Sequence, residues 1–583
     1  MLPLLLVVSI LAFLDGSSAL SASAPSLTGR WRPDLRRSAS RTAGSSRREL
    51  HARHQPVLEG IVTGVAPANN STIVPVVFAS DRETYYILAG VGNVSLRLAL
   101  DTASADLWFV SSDCNDRACN VPKYPLAFKS PTFESVNSNA TEFNVSYADS
   151  TGAQGFVARE SVSLGNLTVA NQAIGLATSS NVTFTDQVSG VLGLGFPRLS
   201  TISSLASNAT PFFATMAQNG LLDYPLFGLS LTRDSSGSLS FGAIDGSVVT
   251  NRSLIEWNEV VPFAPFGAQS NVSSYLQWAV VLEGISVNGT TVTPEPTYPA
   301  QTFNSSLALI DAGTAGIYGP YQDVSRIYSQ IPEARLVDDD DGVGQWVVPC
   351  EIQETIAFNF GGHEFILEPT DYLIGPAAGN PALCLSWPQA LPPSSDGIDW
   401  QLGSPFLRTV YSIYSFGINT KEPPIVGFYP LRNATAPIPP PASASAFFAS
   451  YSATVPTTLP NFLLATPTFT TPTYTFNASV SARTGELVAT GLATSTYAAL
   501  FGTRGHPNAT ALPTITPSPT VVTFVITDTS GRTLTSVSTA SQASITLGVP
   551  AGWKVSAARA GSGRSRGGVA LGLVLCALVW SLV

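Results

Sequence analysis

The sequence predicts an all-β fold built from two lobes, and two observations carry that prediction. Between residues 73 and 431, short runs rich in Val, Ile, Leu, Tyr and Phe alternate with turns rich in Gly, Asn, Ser and Pro, a pattern typical of many short strands. A similar phrase also occurs twice in this stretch, around Asp101 and around Asp311. We therefore expect one lobe for each phrase, over residues 73–260 and 261–431, within a chain of 583 residues that can bury a large core.

The predicted strands share β-branched and aromatic residues and are bounded by turn residues. The clearest of them are Tyr85–Gly92, Ser95–Leu100, Gly155–Leu164, Leu239–Gly242 and Gln277–Val287. Helical periodicity is rare, and the best candidates for helices are Thr210–Gly220 and Gln322–Gln330. The body is therefore expected to consist mainly of strands.

The N-terminal residues are typical of segments that are removed during secretion. An apolar run followed by small residues predicts a signal peptide over residues 1–24. Residues 25–72 are basic and contain two arginine pairs, Arg36-Arg37 and Arg47-Arg48. We interpret them as a pro-segment and N-terminal arm; a disordered basic arm without a processing role is the alternative.

The C-terminal residues predict a stalk and a lipid anchor. Residues 432–560 are rich in Ser, Thr, Pro and Ala, and we expect an extended, O-glycosylated stalk, with a small β-module around Thr520–Ser536 as an alternative for part of it. In residues 561–583 a short spacer precedes an apolar tail, which predicts a GPI-attachment signal. A single transmembrane anchor is the alternative. These features predict a secretory-pathway protein that is GPI-anchored at the plasma membrane or cell wall.

The composition opposes one class of function. The formal net charge of −10 and the isoelectric point near 5.0 argue against nucleic-acid binding, which needs a basic surface. About fifteen Asn-x-Ser/Thr sequons predict a glycoprotein, and they include Asn93, Asn139, Asn166, Asn208, Asn271 and Asn433.

Four of the five cysteines fall in the body of the chain, and Cys576 lies in the terminal apolar run. Cys114 and Cys119 are close in sequence, and Cys350 and Cys384 lie in the second half. In an oxidising compartment these four cysteines fit two local disulfides. Metal binding is the alternative, but no histidine lies near any of them.

The repeated phrase places one aspartate directly after each of two apolar runs. Residues 98–108 read LALDTASADLW, and residues 307–317 read LALIDAGTAGI. One Asp-Thr-small triplet is common in turns, whereas two copies with the same apolar approach are far more specific. The two phrases therefore predict a pair of aspartates that act together.

Two neighbouring carboxyl groups can perform general acid–base catalysis without a metal or a cofactor. They cannot both ionise at low cost, so one of them retains a proton. The ionised carboxylate can then deprotonate a water molecule while the protonated carboxyl donates a hydrogen bond to a carbonyl group under attack. Only His363 and His506 lie outside the N-terminal arm, too few to favour a Ser-His-Asp triad or a histidine-based zinc site.

Residues 73–431 resemble the pepsin family of aspartic peptidases. Beyond the two Asp phrases, the resemblance rests on residues 145–152, 189–197, 238–245, 276–289, 402–408 and 425–429. It implies a bilobal pepsin-like acid protease fold with the active cleft between two β-rich lobes. It also implies a monomeric aspartic endopeptidase that hydrolyses internal peptide bonds of peptide or protein substrates at acidic pH, with disulfides at Cys114–Cys119 and Cys350–Cys384.

The resemblance also implies a role for individual residues. Asp101 and Asp311 would be the catalytic pair. The supporting residues would orient these carboxylates or the flap that closes over the substrate, and they are Ser104, Thr314, Thr102, Tyr147 and Trp108. The substrate-binding residues would border the cleft, and they are Gly313, Ala103, Asp149, Ala99, Val191 and Leu309.

Two positions depart from the Asp-Thr/Ser-Gly triplet of that family. Ala103 places a methyl group where the backbone would approach the substrate and where glycine adopts unusual φ values more readily. Ala312 lacks the hydroxyl that would mirror Thr102. The alternative function is therefore a catalytically weakened or inactive pepsin-fold surface glycoprotein that acts in binding or in cell-wall structure.

Overall fold

The protein is represented by a computed structural model. It describes residues 70–233, 236–262, 275–338, 342–418, 421–432, 437–450, 454–457, 459–474, 497–501, 511–517, 521–527, 533–539 and 545–550. The expected signal peptide, nearly all of the expected pro-segment and the expected GPI signal lie outside the described residues.

The described residues are mostly strands joined by turns. Those of the first half are β1 (Thr72–Phe78), β2 (Tyr85–Val91), β3 (Val94–Asp101), β4 (Leu107–Val110), β5 (Glu134–Ser135), β6 (Glu142–Ser146), β7 (Gly152–Leu164), β8 (Leu167–Ser180), β9 (Val188–Gly193), β10 (Leu226–Ser230), β11 (Gly237–Phe241), β12 (Ile244–Asp245) and β13 (Glu256–Glu259). Those of the second half are β14 (Ala279–Leu282), β15 (Gly284–Val287), β16 (Thr290–Val292), β17 (Ser306–Ile310), β18 (Ile317–Pro320), β19 (Arg335–Asp338), β20 (Gly344–Pro349), β21 (Ile356–Phe360), β22 (His363–Leu367), β23 (Leu373–Ala377), β24 (Asn380–Leu391), β25 (Trp400–Leu402), β26 (Val410–Ser415) and β27 (Ile425–Pro430).

The C-terminal extension, defined here as residues 432–550, adds β28 (Thr514–Ile515), β29 (Val521–Thr527) and β30 (Thr533–Thr539). The α-helices are short, and they are α1 (Ile202–Leu205), α2 (Phe212–Gln218), α3 (Tyr321–Ser329), α4 (Pro369–Tyr372), α5 (Ser404–Leu407) and α6 (Pro441–Ser450). Helices α2 and α3 lie where the sequence predicted them.

The strands form one large sheet that joins the two halves and smaller sheets in the second half. The fourteen-stranded sheet contains β1 to β11 and also β13, β26 and β27, and β26 pairs with β10 of the first half. The second half has an eight-stranded sheet and a four-stranded sheet of its own. The predicted bilobal all-β fold is confirmed.

The same strand arrangement occurs once in each half. In the first half, β3 runs parallel to β9, β9 runs antiparallel to β4, and β4 runs parallel to β8. In the second half, β17, β25, β18 and β24 repeat these three relationships. Asp101 is the last residue of β3, and Asp311 follows β17 directly. The repeated phrase in the sequence therefore corresponds to a repeated structural unit.

Strands β3 and β17 are held rigidly because both of their faces are buried at the aspartate end. The last four residues of β3 and all five residues of β17 are buried, as expected for strands covered on both sides. The indole N–H of Trp278, in the second half, donates a hydrogen bond of 3.1 Å to the carbonyl of Leu194 in the first. The core therefore continues from the first half of the molecule into the second, near the two aspartates.

Several described parts of the C-terminal extension, within the residues 432–560 for which a stalk was expected, lie against the body. Ala444 and Phe448 of α6 enter the main core, Phe501 and Leu512 are buried in a second cluster, and β28 pairs with β12. Some of its apolar residues therefore fill sites on the body, whereas others, such as Phe462 and Leu463, are exposed. Farther along, β29 and β30 form an antiparallel hairpin where a small β-module was the alternative.

Two disulfides join the four cysteines of the body. Cys114 is bonded to Cys119, with 5.9 Å between their Cα atoms, and Cys350 is bonded to Cys384, with 5.0 Å. The expected pairing is therefore present. Among the helices of the described ranges, none is long and apolar enough to cross a membrane.

Candidate active site

Asp101 is buried and receives three hydrogen bonds from the turn that follows it. The backbone N–H groups of Ala103 and Ser104 donate to its Oδ1 at 2.9 and 3.1 Å, and the Ser104 hydroxyl donates to its Oδ2 at 2.6 Å. Each oxygen of the carboxyl group is thereby fixed in direction. Ser104 takes the orienting position that the resemblance implied.

Asp311 has an equivalent environment in the second half. The N–H of Gly313 donates to its Oδ1 at 2.9 Å, and the Thr314 hydroxyl donates to its Oδ2 at 2.7 Å. Only 1% of Asp311 and 3% of Asp101 is exposed to solvent. The two carboxyl groups are therefore positioned by matching sets of donors.

Gly313 shows how closely the two carboxyl groups approach each other. A Cβ atom placed on Gly313 would lie 2.9 Å from Oδ1 of Asp101 and 3.3 Å from Oδ1 of Asp311. The inner oxygens of both carboxyl groups therefore lie within 3.3 Å of one point. No side chain fits at Gly313 without displacing Asp101, which explains why this position needs glycine.

Thr102 links the two halves through a single hydroxyl group. Its Oγ1 accepts the backbone N–H of Ala312 at 2.9 Å and lies 3.2 Å from the carbonyl of Ile310 and 3.1 Å from Oδ1 of Asp311. Its one proton can serve either of these last two acceptors. Because Ala312 has no hydroxyl to mirror this link, Thr102 alone supplies the side-chain hydroxyl that joins the two Asp turns.

Thr102→Val is expected to lower the free energy of unfolding by about 2 kcal/mol, because it leaves the buried N–H of Ala312 without its acceptor. Denaturant titration would measure this loss. Thr409→Val is the matched control, since the Thr409 hydroxyl makes a 2.7 Å bond to Phe406 within one turn. Equal losses in both variants would contradict a special role for the link between the halves.

Ala103 is accommodated without backbone strain. It is not among the non-glycine residues with positive φ, so the turn after Asp101 does not need glycine. Its methyl group is fully buried in a small apolar cluster with Leu276, Ala279, Leu309 and Ile398. The departure from the family triplet at this position therefore adds a core contact and removes no catalytic group.

Tyr147 lies at the tip of the hairpin formed by β6 and β7. The turn is closed by the N–H of Tyr147 donating to the carbonyl of Thr151 at 2.8 Å. The indole N–H of Trp108 donates to the Tyr147 hydroxyl at 2.7 Å. The structure thus contains the pairing of flap tyrosine and tryptophan that the resemblance implied. Asp149 lies in the same turn, where it accepts the N–H and the hydroxyl of Thr151.

Trp108→Phe is expected to lower kcat/KM by about tenfold, because the flap tyrosine loses the donor that fixes it. Peptide hydrolysis would be compared for Trp108→Phe, Tyr147→Phe and the double variant. If the hydrogen bond carries the effect, the double variant falls little further than either single variant. Additive losses would show that the two side chains act independently.

The other expected cleft residues form a buried layer. Ala99 and Val191 are at most 1% exposed and belong to the apolar cluster that contains Trp108 and Tyr147. Leu309 is fully buried in the cluster of Ala103. These residues therefore support the cleft from behind and present almost no surface of their own to a ligand.

Sequence reasoning missed two further residues near the site. Asp106, five residues after Asp101, accepts hydrogen bonds from Ser200, Thr201 and Ile202, and burial raises its pKa. It ties the loop after β9 to the turn of Asp101. The signal was in the phrase itself, because Asp106 is the second charged residue, after Asp101, in a run of apolar, small and hydroxyl residues.

Asp396 is the second missed residue and lies near the cluster of Ala103 and Leu309. Its Oδ1 accepts the Ser394 hydroxyl and the N–H of Ile398, whereas its Oδ2 is buried without a hydrogen-bond partner. Burial raises its pKa to about 6, and the nearby charge of Asp399 adds to the effect. No sequence motif marks it, since its burial depends on distant segments.

Comparison with known proteins places this architecture in a family. Residues 84–422 match the family model described as eukaryotic aspartyl protease. An aspartic protease of Phaffia rhodozyma is 30% identical over 332 residues, which cover 56% of this chain and 72% of the relative. Major aspartyl peptidase 1 of Cryptococcus neoformans is 28% identical, covering 56% of this chain and 64% of the relative.

A further relative agrees with this assignment. Cathepsin D of Gallus gallus is 28% identical over 346 residues, which cover 57% of this chain and 77% of the relative. The range that matches the family model contains both Asp turns, Tyr147 and the strands that carry them. The chain belongs to the eukaryotic aspartyl protease family, the pepsin-like aspartic peptidases.

Proposed function

We propose that this aspartic endopeptidase hydrolyses internal peptide bonds in acid with a water molecule held between Asp101 and Asp311. The observation that carries the proposal is the convergence of their inner oxygens on one point beside Gly313. In the proposed mechanism one proton is shared by the two carboxyl groups that face this point, because a second negative charge would be costly there.

The proton balance of the reaction follows from that shared proton. The ionised carboxylate removes a proton from the water, whose oxygen forms a bond to the carbonyl carbon of the substrate. The protonated carboxyl donates its hydrogen to the carbonyl oxygen, which gives a tetrahedral intermediate. One carboxyl group then donates a proton to the amide nitrogen as the C–N bond breaks, and the other carboxylate accepts a hydroxyl proton of the intermediate, which restores the shared proton. Ser104 and Thr314 keep the outer oxygens directed away from the water.

Nothing in the site favours the inactive alternative. Ala103 adopts an ordinary backbone conformation, and Ala312 still donates its N–H to Thr102. Both substitutions leave the acid, the base and their hydrogen-bond donors in place. Because both aspartates come from one chain, the proposed site is complete in a monomer.

Cleavage of a denatured protein substrate by the secreted protein, with and without pepstatin, tests this function. We expect hydrolysis between about pH 3 and pH 6 that pepstatin blocks. A folded and processed sample that cleaves nothing across this range would overturn the proposal. Apolar residues on either side of the cleaved bond are the expected preference, by analogy with the pepsin family.

The proposal extends to the location of the enzyme. The segments at residues 1–24, 25–72 and 561–583 support secretion, activation by removal of a pro-segment, and GPI anchoring at the cell surface. Exposed asparagines in sequons, among them Asn139 and Asn208, support N-glycosylation. Release from cells by a phosphatidylinositol-specific phospholipase, and a mass shift with an N-glycosidase, would test these features.

A further inference from the structure

The C-terminal extension is anchored along the second half of the molecule between residues 437 and 474. Val455 exchanges backbone hydrogen bonds of 2.8 Å with Pro376 and Ala378. The Arg335 guanidinium then donates to the carbonyl of Pro460 at 3.1 Å, and the ring of Phe469 lies 5.0 Å from that of Tyr321 on α3. These contacts hold the extension on the second half of the molecule.

The described part of this segment ends at Tyr474, whose position is fixed by the body. The Tyr298 hydroxyl donates to the carbonyl of Pro472 at 2.9 Å, and the Tyr298 ring lies 5.1 Å from the Tyr474 ring. Gly397 has a φ of +84°, and a Cβ there would come within 3.1 Å of the Tyr474 ring. The backbone of Gly397 therefore makes room for this ring, and Tyr474 has a defined seat.

Tyr474 packs on an apolar cluster that adjoins both catalytic aspartates. The cluster contains Ala103, two residues after Asp101, and Leu309, two residues before Asp311. These two residues are fully buried. The partly exposed members are Leu199 and Tyr474. The surface that this cluster presents is therefore formed by Leu199 from the first half and Tyr474 from the extension.

We propose that Tyr474 forms part of a substrate-binding pocket beside the scissile bond and limits the size of the side chain that the pocket accepts. The inference rests on the proposed peptidase function. It makes the C-terminal extension a part of the substrate-binding cleft, in addition to any role as a spacer. Substrates with small or medium apolar residues at this position would fit beneath the ring, whereas large aromatic residues would collide with it.

The test compares Tyr474→Ala with Phe469→Ala in the secreted full-length protein. Phe469 belongs to the same segment and also packs on a tyrosine, but it lies outside the cluster of Ala103 and Leu309. The first readout is the preference for Phe over Ala, measured as the ratio of kcat/KM for peptides that carry one or the other at each position around the cleaved bond. The second readout is the Kd of statine-containing peptides with the same substitutions.

Tyr474→Ala is expected to raise the preference for Phe over Ala by at least about tenfold at one position, since one pocket contact commonly discriminates by that factor. Phe469→Ala should leave the preference unchanged. The proposal is overturned if Tyr474→Ala changes the preference at no position, or if both variants change it equally. If the wild-type protein binds statine-containing peptides but cleaves no substrate peptide, the peptidase function fails. The Kd values then decide by themselves whether Tyr474 lines a binding pocket. If the folded protein does neither, both proposals fail.

Discussion

Asp101→Asn and Asp311→Asn are each expected to lower kcat/KM for peptide hydrolysis by at least about a thousandfold. Asparagine keeps the size of the side chain: its carbonyl oxygen can take the place of Oδ1 and accept the backbone N–H groups, while its NH2 group donates to the hydroxyl oxygen of Ser104 or Thr314. It cannot hold the shared proton, and it cannot act as a base. The chemistry is therefore removed while most of the hydrogen-bonding framework remains.

The two variants must be compared with a control that separates chemistry from folding. Asp113→Asn changes an exposed aspartate in the loop before the first disulfide, so we expect its activity to match that of the wild-type protein. Thermal melting and pepstatin binding would show whether each variant keeps the cleft. Retention of more than about a tenth of the activity by either Asp101→Asn or Asp311→Asn would rule out the paired mechanism.

The repeated unit could be predicted from sequence because its signal is local and occurs twice. Strands β3 and β17 both finish in a buried apolar run, and each run is followed by an aspartate and then by small and hydroxyl residues. Such runs identify buried strands by composition alone. Ser104 and Thr314 each lie three residues after an aspartate, and the turn brings each hydroxyl to that carboxylate. Their roles could therefore be predicted from local sequence.

The course of the C-terminal extension could not be predicted, because its contacts depend on isolated residues. Phe448, Phe501 and Leu512 are far apart in a segment rich in Ser, Thr, Pro and Ala, and such a composition predicts a solvated chain. Each is buried only because the body offers a matching site. The same limit applies to Ala103, whose methyl group is favourable only because Leu309, Ile398 and Tyr474 surround it.

Buried carboxyl groups lead to the second large prediction, that the protein is more stable in acid than at neutral pH. Burial raises the pKa values of several carboxyl groups, among them Asp106, Asp323, Asp396, Asp399 and Glu422. Between its ordinary pKa and its raised value, such a group binds more protons in the folded state than in the unfolded state. The free energy of unfolding therefore falls as the pH rises through that window.

For Asp396 the window lies between 3.8 and about 6, and the corresponding loss is about 3 kcal/mol. The loss is complete once the pH exceeds the folded-state value. Asp116 has the opposite shift, because hydrogen bonds from Ser179 and Ser180 lower its pKa. Its contribution is lost only as the pH falls below the ordinary range, so it does not offset the decline above pH 4.

Asp396→Asn is expected to remove most of the Asp396 contribution to the decline, because asparagine has no charge to bury. Denaturant titrations from about pH 4 to pH 7 would be made in the Asp101→Asn background, which prevents self-digestion, with Asp113→Asn as the exposed control. The Asp101→Asn protein that keeps Asp396 should lose stability across this range. In the Asp396→Asn variant the free energy of unfolding should fall by about 3 kcal/mol less over the same range. If the slope of the free energy of unfolding against pH were unchanged, Asp396 would be ionised in the folded protein. The apolar cluster on which Tyr474 packs would then lie beside a negative charge throughout the working pH range of the enzyme.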